Sequence, residues 1–133
     1  MINRGKFKEC YSDFDKDIVL DILDMFINDY SGRIKKLSGY IDDRSPSFLK
    51  NEAHAFKSVI GNIETDCIVF AQLELIEGIC DELLDAGKSE EKLTAEAENR
   101  KYNEIIKEFR QLKTSSSQLL AETRELRLLY LGG

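Results

Sequence analysis

Apolar residues recur along this chain at three- and four-residue steps in four separate stretches, the spacing of helices that each bury one face. The first stretch runs from about Asp15 to Ile41, with Ile18, Ile22, Met25, Phe26, Tyr30, Ile34, Leu37 and Ile41 as its stripe. Gly32 and Gly39 weaken its second half, each by roughly 1 kcal/mol relative to Ala. Ahead of it, Phe7, Tyr11 and Phe14 suit a short helix or turn packed over one end of the core. The run Asp42-Asp43-Arg44-Ser45-Pro46 is a break with a restart built in. Ser45 offers a capping hydroxyl, and Pro46 suits the first helical position, where its missing N–H has no partner to lose.

The second helix is expected from Pro46 to about Ile63, with Leu49, Ala53, Phe56, Ile60 and Ile63 facing inward. Thr65 or Asp66 then caps a third helix to about Ala86, which Gly87 ends in left-handed backbone. Two adjacent stripes mark the third helix as the most buried: Ile68, Ala71, Leu75, Ile79 and Leu83 beside Val69, Leu73, Ile76, Cys80 and Leu84. Gly78 inside it signals a close helix–helix approach. The last helix is expected from about Thr94 towards Leu129. Its seam, Tyr102, Ile105, Phe109, Leu112, Ser116, Leu119, Thr123, Leu126 and Tyr130, has heptad-like steps. The polar run Thr114-Ser115-Ser116-Ser117 is poor helix material and is expected to bend or break it. The pattern predicts an all-α fold, an antiparallel four-helix bundle with a short N-terminal helix and an extended C-terminal one. Residues 1–133 form a single domain, with a bundle core at about 15–113 and a helical extension at about 114–131.

Composition narrows the function classes. The chain has 133 residues, 42% hydrophobic and 33% charged, with one Pro and no Trp, which excludes a disordered chain and disfavours an all-β fold. Its net charge of −6 argues against a nucleic-acid partner. No apolar run reaches the ~18–20 residues of a membrane span, and Met1-Ile2-Asn3-Arg4-Gly5-Lys6 opens no signal peptide. A cytoplasmic protein with no membrane partner is expected. Cys10, Cys67 and Cys80 sit among apolar neighbours without metal-ligand spacing and read as buried thiols. With one histidine in the chain, a His-rich zinc or iron site is excluded, and no metal or other cofactor is expected.

That histidine, His54, lies two residues before Phe56, which on a helix is about 200° of rotation. It therefore faces away from the Phe56–Ile60–Ile63 stripe. Its own face carries Lys50 at −4, Lys57 at +3, Ser58 at +4 and Gly61 at +7. An exposed imidazole is a nucleophile near neutral pH, a lysine one turn away neutralises anionic charge, and small residues admit a partner surface. A Ser58–His54 pair at i, i+4 does not make a hydrolase by itself, because it lacks an orienting third group and an oxyanion hole.

The run Ala53-His54-Ala55-Phe56-Lys57-Ser58-Val59-Ile60-Gly61-Asn62-Ile63 resembles the signature of histidine-containing phosphotransfer (HPt) domains of multistep two-component phosphorelays. That signature reads Ala-His-x-apolar-Lys-Gly-Ser-x-Gly-x-apolar, and the resemblance extends over roughly Asp15 to Phe109. It implies that His54 is the phospho-acceptor and Lys57 the phosphate's charge partner, with Lys50, Ser58 and Gly61 on the docking surface. It implies a phosphocarrier rather than an independent enzyme, the receiver supplying Mg²⁺ and most catalytic groups. The implied partners are response-regulator receiver domains, a hybrid histidine kinase, or both. Three positions depart from the pattern: Ser58 and Glu64 stand where Gly is usual, and Ile76 where a Glu or Gln often orients the imidazole. Gln72 and Glu77 are the candidates for that orienting role. The alternative is a helical adaptor or dimerisation module in which His54 is incidental, and the long C-terminal helix offers a seam through which a homodimer could form.

Overall fold

The computed structural model describes residues 1–132. Five helices account for most of them: α1 (Arg4–Cys10), α2 (Lys16–Asp42), α3 (Pro46–Gly61), α4 (Ile68–Lys88) and α5 (Ala95–Gly132). No strand occurs among the described residues, and no helix of the described chain is long and apolar enough to cross a membrane.

The helix ends follow local chemistry, with three corrections. Pro46 does open α3, but Ser45 at its N-cap makes no side-chain capping bond. The reversal into α3 comes from Arg44 at φ 48°, pinned by Ser45 N–H donating to Tyr40 O at 3.0 Å. The Arg44 guanidinium lies 4.6 Å from the Tyr102 ring centre and donates to Asn99 Oδ1, tying this corner to α5. Neither Thr65 nor Asp66 caps α4, which starts after Cys67 in extended backbone. Nor does Gly87 end α4: the helix runs on to Lys88, and none of the described glycines has positive φ. Thr94 does cap α5, its hydroxyl accepting from Ala97 N–H at 3.1 Å.

The four long helices pack in a closed cycle of neighbours, α2–α3–α4–α5 and back to α2. Contacts Asp24–Arg127, Tyr30–Ser116 and Arg44–Asn99 show α2 and α5 running in opposite directions. Leu23, Phe26, Leu49, Phe56, Leu73, Ile76, Ile105 and Leu112 are among the fully enclosed side chains at the centre. The α3 stripe and the α5 seam face this core as expected. On α2, however, the buried face is Val19, Leu23, Phe26, Leu37 and Ile41, while Ile18 and Met25 are half exposed. Apolar residues occupy both sides of that helix, and the stripe drawn through Ile18 and Met25 follows the wrong side. On α4, Ile68 and Leu75 are likewise half exposed, and only the Val69–Leu73–Ile76–Cys80 stripe, joined by Ile79 and Leu83, is buried. Gly78 is exposed with nothing near it, so it marks no helix contact.

The largest correction concerns the C-terminal extension. α5 continues unbroken through Thr114–Ser117. Ser116 is fully buried and its hydroxyl pairs with that of Tyr30 at 2.8 Å, so the one residue of the polar run that enters the seam is satisfied there, while Thr114 and Ser117 are exposed. Leu119, Leu120, Thr123 and Leu126 are buried too. α5 has 38 residues and α3 only 16, about 57 Å against 24 Å at 1.5 Å per residue. α1 fills the space that this difference leaves. Phe7 packs on Tyr11 and Tyr130, with ring centres 4.7 and 5.8 Å away. Asn3 N–H donates to Glu64 Oε1 at 2.7 Å, and Tyr11 OH to Asn62 O at 2.6 Å, which fastens α1 over the α3–α4 connection. One face of residues 116–126 is therefore part of the core, while Leu128, Leu129 and Leu131 beyond it are exposed. Of the cysteines, Cys67 and Cys80 are buried but Cys10 is exposed, because α1 has a single buried position, Phe7.

Candidate functional site

α3 and α4 pack side by side in opposite directions, and their register sets the site. Going up α3, Lys50, His54, Lys57 and Gly61 meet, going down α4, Asp81, Glu77, Glu74 and Phe70. Spacings of four and three on α3 are mirrored by four and three on α4, so three successive rungs bring basic and acidic groups together before the uncharged Gly61–Phe70 contact. The result is a charge zipper along the outer edge of the α3–α4 seam. Lys50 is paired with Asp81, whose hydrogen bond and charge hold the Lys50 ammonium above its ordinary range.

His54 is the middle rung. Its side chain is 67% exposed, whereas Glu77 is 11% and Lys57 17% exposed. A reactive ring thus stands in solvent on a largely enclosed support. Glu77 Oε1 lies 2.7 Å from His54 Nδ1, and Lys57 Nζ donates to Glu77 Oε2 at 2.5 Å. Glu74 lies at 3.9 Å from the same ammonium, which also sits 5.6 Å from the Phe70 ring centre. A carboxylate that receives a bond from Lys⁺ can only accept, so Nδ1 must carry the proton in the neutral ring. The lone pair is then on Nε2, the ring nitrogen that Glu77 does not hold, in a side chain that is mostly exposed. One carboxylate thereby sets both tautomer and ring orientation.

Gln72 does not reach this site. It is buried on the α5 side of α4, its Nε2 donating to Ser115 Oγ at 3.4 Å. Of the two candidate orienting residues, only Glu77 touches the imidazole. Lys57 is one turn from His54 as expected, but its ammonium is held by Glu77 and does not project free into solvent. Ser58 is exposed and its hydroxyl donates to the His54 carbonyl at 3.0 Å. It points away from the ring, which removes a Ser–His hydrolytic pair. Gly61 is half buried, and a Cβ there would come into ordinary contact with Phe70 at 3.4 Å. The fold therefore admits alanine at 61, and the glycine has no internal packing reason.

Glu74 and Asp81 were not singled out by motif reasoning. Their signal is the mirrored spacing of Glu74, Glu77 and Asp81 against Lys50, His54 and Lys57, visible once α3 and α4 are set antiparallel. Among the described residues no group of three or more His, Cys, Asp or Glu is arranged to hold a metal ion. Comparison with protein-family models, curated proteins and solved structures yields no match.

Proposed function

We propose that this chain is a phosphorelay phosphocarrier of the HPt type, with α2–α5 forming an antiparallel four-helix bundle and α1 laid across one end. The single observation that carries the reading is a His54 side chain that is 67% exposed while its Nδ1 is held by the enclosed Glu77 carboxylate, which leaves Nε2 as the unengaged ring nitrogen. In this scheme the Nε2 lone pair attacks the phosphorus of a receiver's aspartyl phosphate. The N–P bond forms as the P–O bond to the aspartyl oxygen breaks, and the aspartate leaves as a free carboxylate. The ring becomes cationic, its proton remaining on Nδ1, and Glu77 balances that charge. A second receiver reverses the step. Positioning and charge compensation are most of what phosphoryl transfer requires, and the receiver brings Mg²⁺ and the remaining groups. Lys57 acts first by holding Glu77. Ser58 and Gly61 supply a low surface that lets a receiver close on the ring, and Gly61 suits that role because internal packing does not demand it. The cellular setting this implies is cytoplasmic, with receiver domains or a hybrid histidine kinase as partners.

The zipper itself favours one other reading, in which His54 is only a third basic rung between Lys50 and Lys57 in a helical adaptor. Receiver-dependent phosphorylation separates the two. A phosphocarrier gains an acid-labile, base-stable phosphoryl group that His54→Gln cannot gain. An adaptor gains none.

A further inference from the structure

At the far end of the fold, α1, the α1–α2 connection, the first turn of α2 and the last turns of α5 enclose a cleft of about 530 Å³, within the roughly 300–1,000 Å³ typical of small-molecule sites. Leu126, Leu129, Tyr130 and Phe14 supply its apolar lining. Phe14 is 49% and Leu129 57% exposed, so apolar surface faces water inside a concavity. Three cations, Arg4, Lys8 and Lys16, line the same cleft, and no carboxylate does among the described residues. That is notable in a chain with 25 acidic and 19 basic residues. Lys8 makes no ion pair among the described residues, Arg4 is engaged only by the exposed Glu125, and Lys16 donates to the Leu131 carbonyl. Cations and exposed apolar side chains lining one cleft match a ligand with one anionic head and one hydrocarbon tail.

We propose that this cleft binds a single-tailed fatty carboxylate, with the tail on Leu126, Leu129 and Phe14 and the carboxylate at Lys8. The proposal is independent of the chemistry at His54. Sodium decanoate is the probe, titrated below micelle formation into the full chain and followed by amide chemical-shift changes. Saturable shifts at Phe14, Leu129 and Tyr130 are expected, with decanol binding at least tenfold more weakly and decyltrimethylammonium not at all. Lys8→Glu should weaken decanoate about tenfold or more without lowering the melting temperature, because Lys8 is exposed and unpaired. Leu129→Asp should abolish it, and His54→Gln should bind as the parent does. Equal affinity for decanol and decanoate, or unchanged decanoate binding by Lys8→Glu, would overturn the proposal. So would a dimer, seen by sedimentation, that Leu129→Asp dissociates while decanoate does not bind: a second copy would then be the occupant.

Discussion

Glu77 is the residue whose replacement by its amide reports most about the site. In Glu77→Gln the side chain keeps its length and can still accept from His54 Nδ1–H, but as a neutral group. The amide nitrogen that replaces Oε2 cannot accept from Lys57, whose ammonium now sits 2.5 Å from that atom. Lys57 would turn towards Glu74, at present 3.9 Å away. A hydrogen bond to a charged group contributes about 1.5–3 kcal/mol, and an enclosed donor left unpaired costs on the same order. Partial rescue by Glu74 reduces the folding cost to about 1–2 kcal/mol, a few degrees in Tm for a chain of this size. The kinetic cost is larger. Cationic charge develops on the ring as the N–P bond forms, and a neutral acceptor loses about 1.5–3 kcal/mol of its stabilisation. That is about 10- to 150-fold in rate. Phosphoramidate labelling of His54, followed by ³¹P NMR, measures it, and ¹⁵N shifts of the imidazole report the tautomer. The parent should show the Nδ1–H form, and the variant a mixture. A labelling rate within twofold of the parent, with the tautomer unchanged, would refute the positioning role of Glu77.

Ser58→Arg should keep the fold, since Ser58 is exposed, and keep phosphoramidate labelling. Transfer from a phosphorylated receiver should nonetheless collapse, because a displacement near 1 Å can cost about 10²-fold; equal loss with both donors would indicate a damaged imidazole environment instead. Ending the chain after Gln118 removes Leu119, Leu120 and Leu126, all buried. At about 1.5–3 kcal/mol each this approaches the whole stability of a domain, so cooperative thermal unfolding should vanish in circular dichroism; a preserved sharp transition would contradict the packing described for α5. Burial pushes the Cys80 thiol up to about 12. The unfolded chain releases that proton nearer pH 8.5, so Cys80 contributes stability below that pH and loses it as pH rises from about 9 towards 12. Urea unfolding at pH 8, 9 and 10 should therefore show a steeper decline for the parent than for Cys80→Ala, and parallel declines would show that the thiol is not the titrating group.

Much of this arrangement is legible in helical periodicity, and the exceptions have physical causes. The α3 stripe and the α5 seam lie on helices with one apolar face, and their phase follows directly. α2 and α4 carry apolar residues on two faces, and only tertiary packing selects Val19 and Leu23 over Ile18 and Met25. The Thr114–Ser117 run continues as helix because Tyr30, on another element, gives the buried Ser116 hydroxyl a partner; local propensity contains no such term. Gly87 stays helical because nothing local requires a left-handed cap there. The outward direction of His54 follows from its phase against Phe56. The choice of Glu77 over Gln72 does not, because it depends on the rotation of α4 about its axis. Leu73, Ile76 and Cys80 set that rotation by facing the core, which turns Glu77 to α3 and Gln72 to α5.

The most direct measurement is phosphoryl transfer from a panel of ³²P-labelled receiver domains from the source organism to the full chain and to His54→Gln. A phosphocarrier takes up label from at least one receiver, on the parent only, and that label survives alkali, is lost in acid and returns to a receiver when the purified phosphoprotein is mixed back. Uptake by His54→Gln equal to the parent, or no uptake from any receiver in the panel by a chain that phosphoramidate does label, would contradict the assignment of His54 as a relay phospho-acceptor.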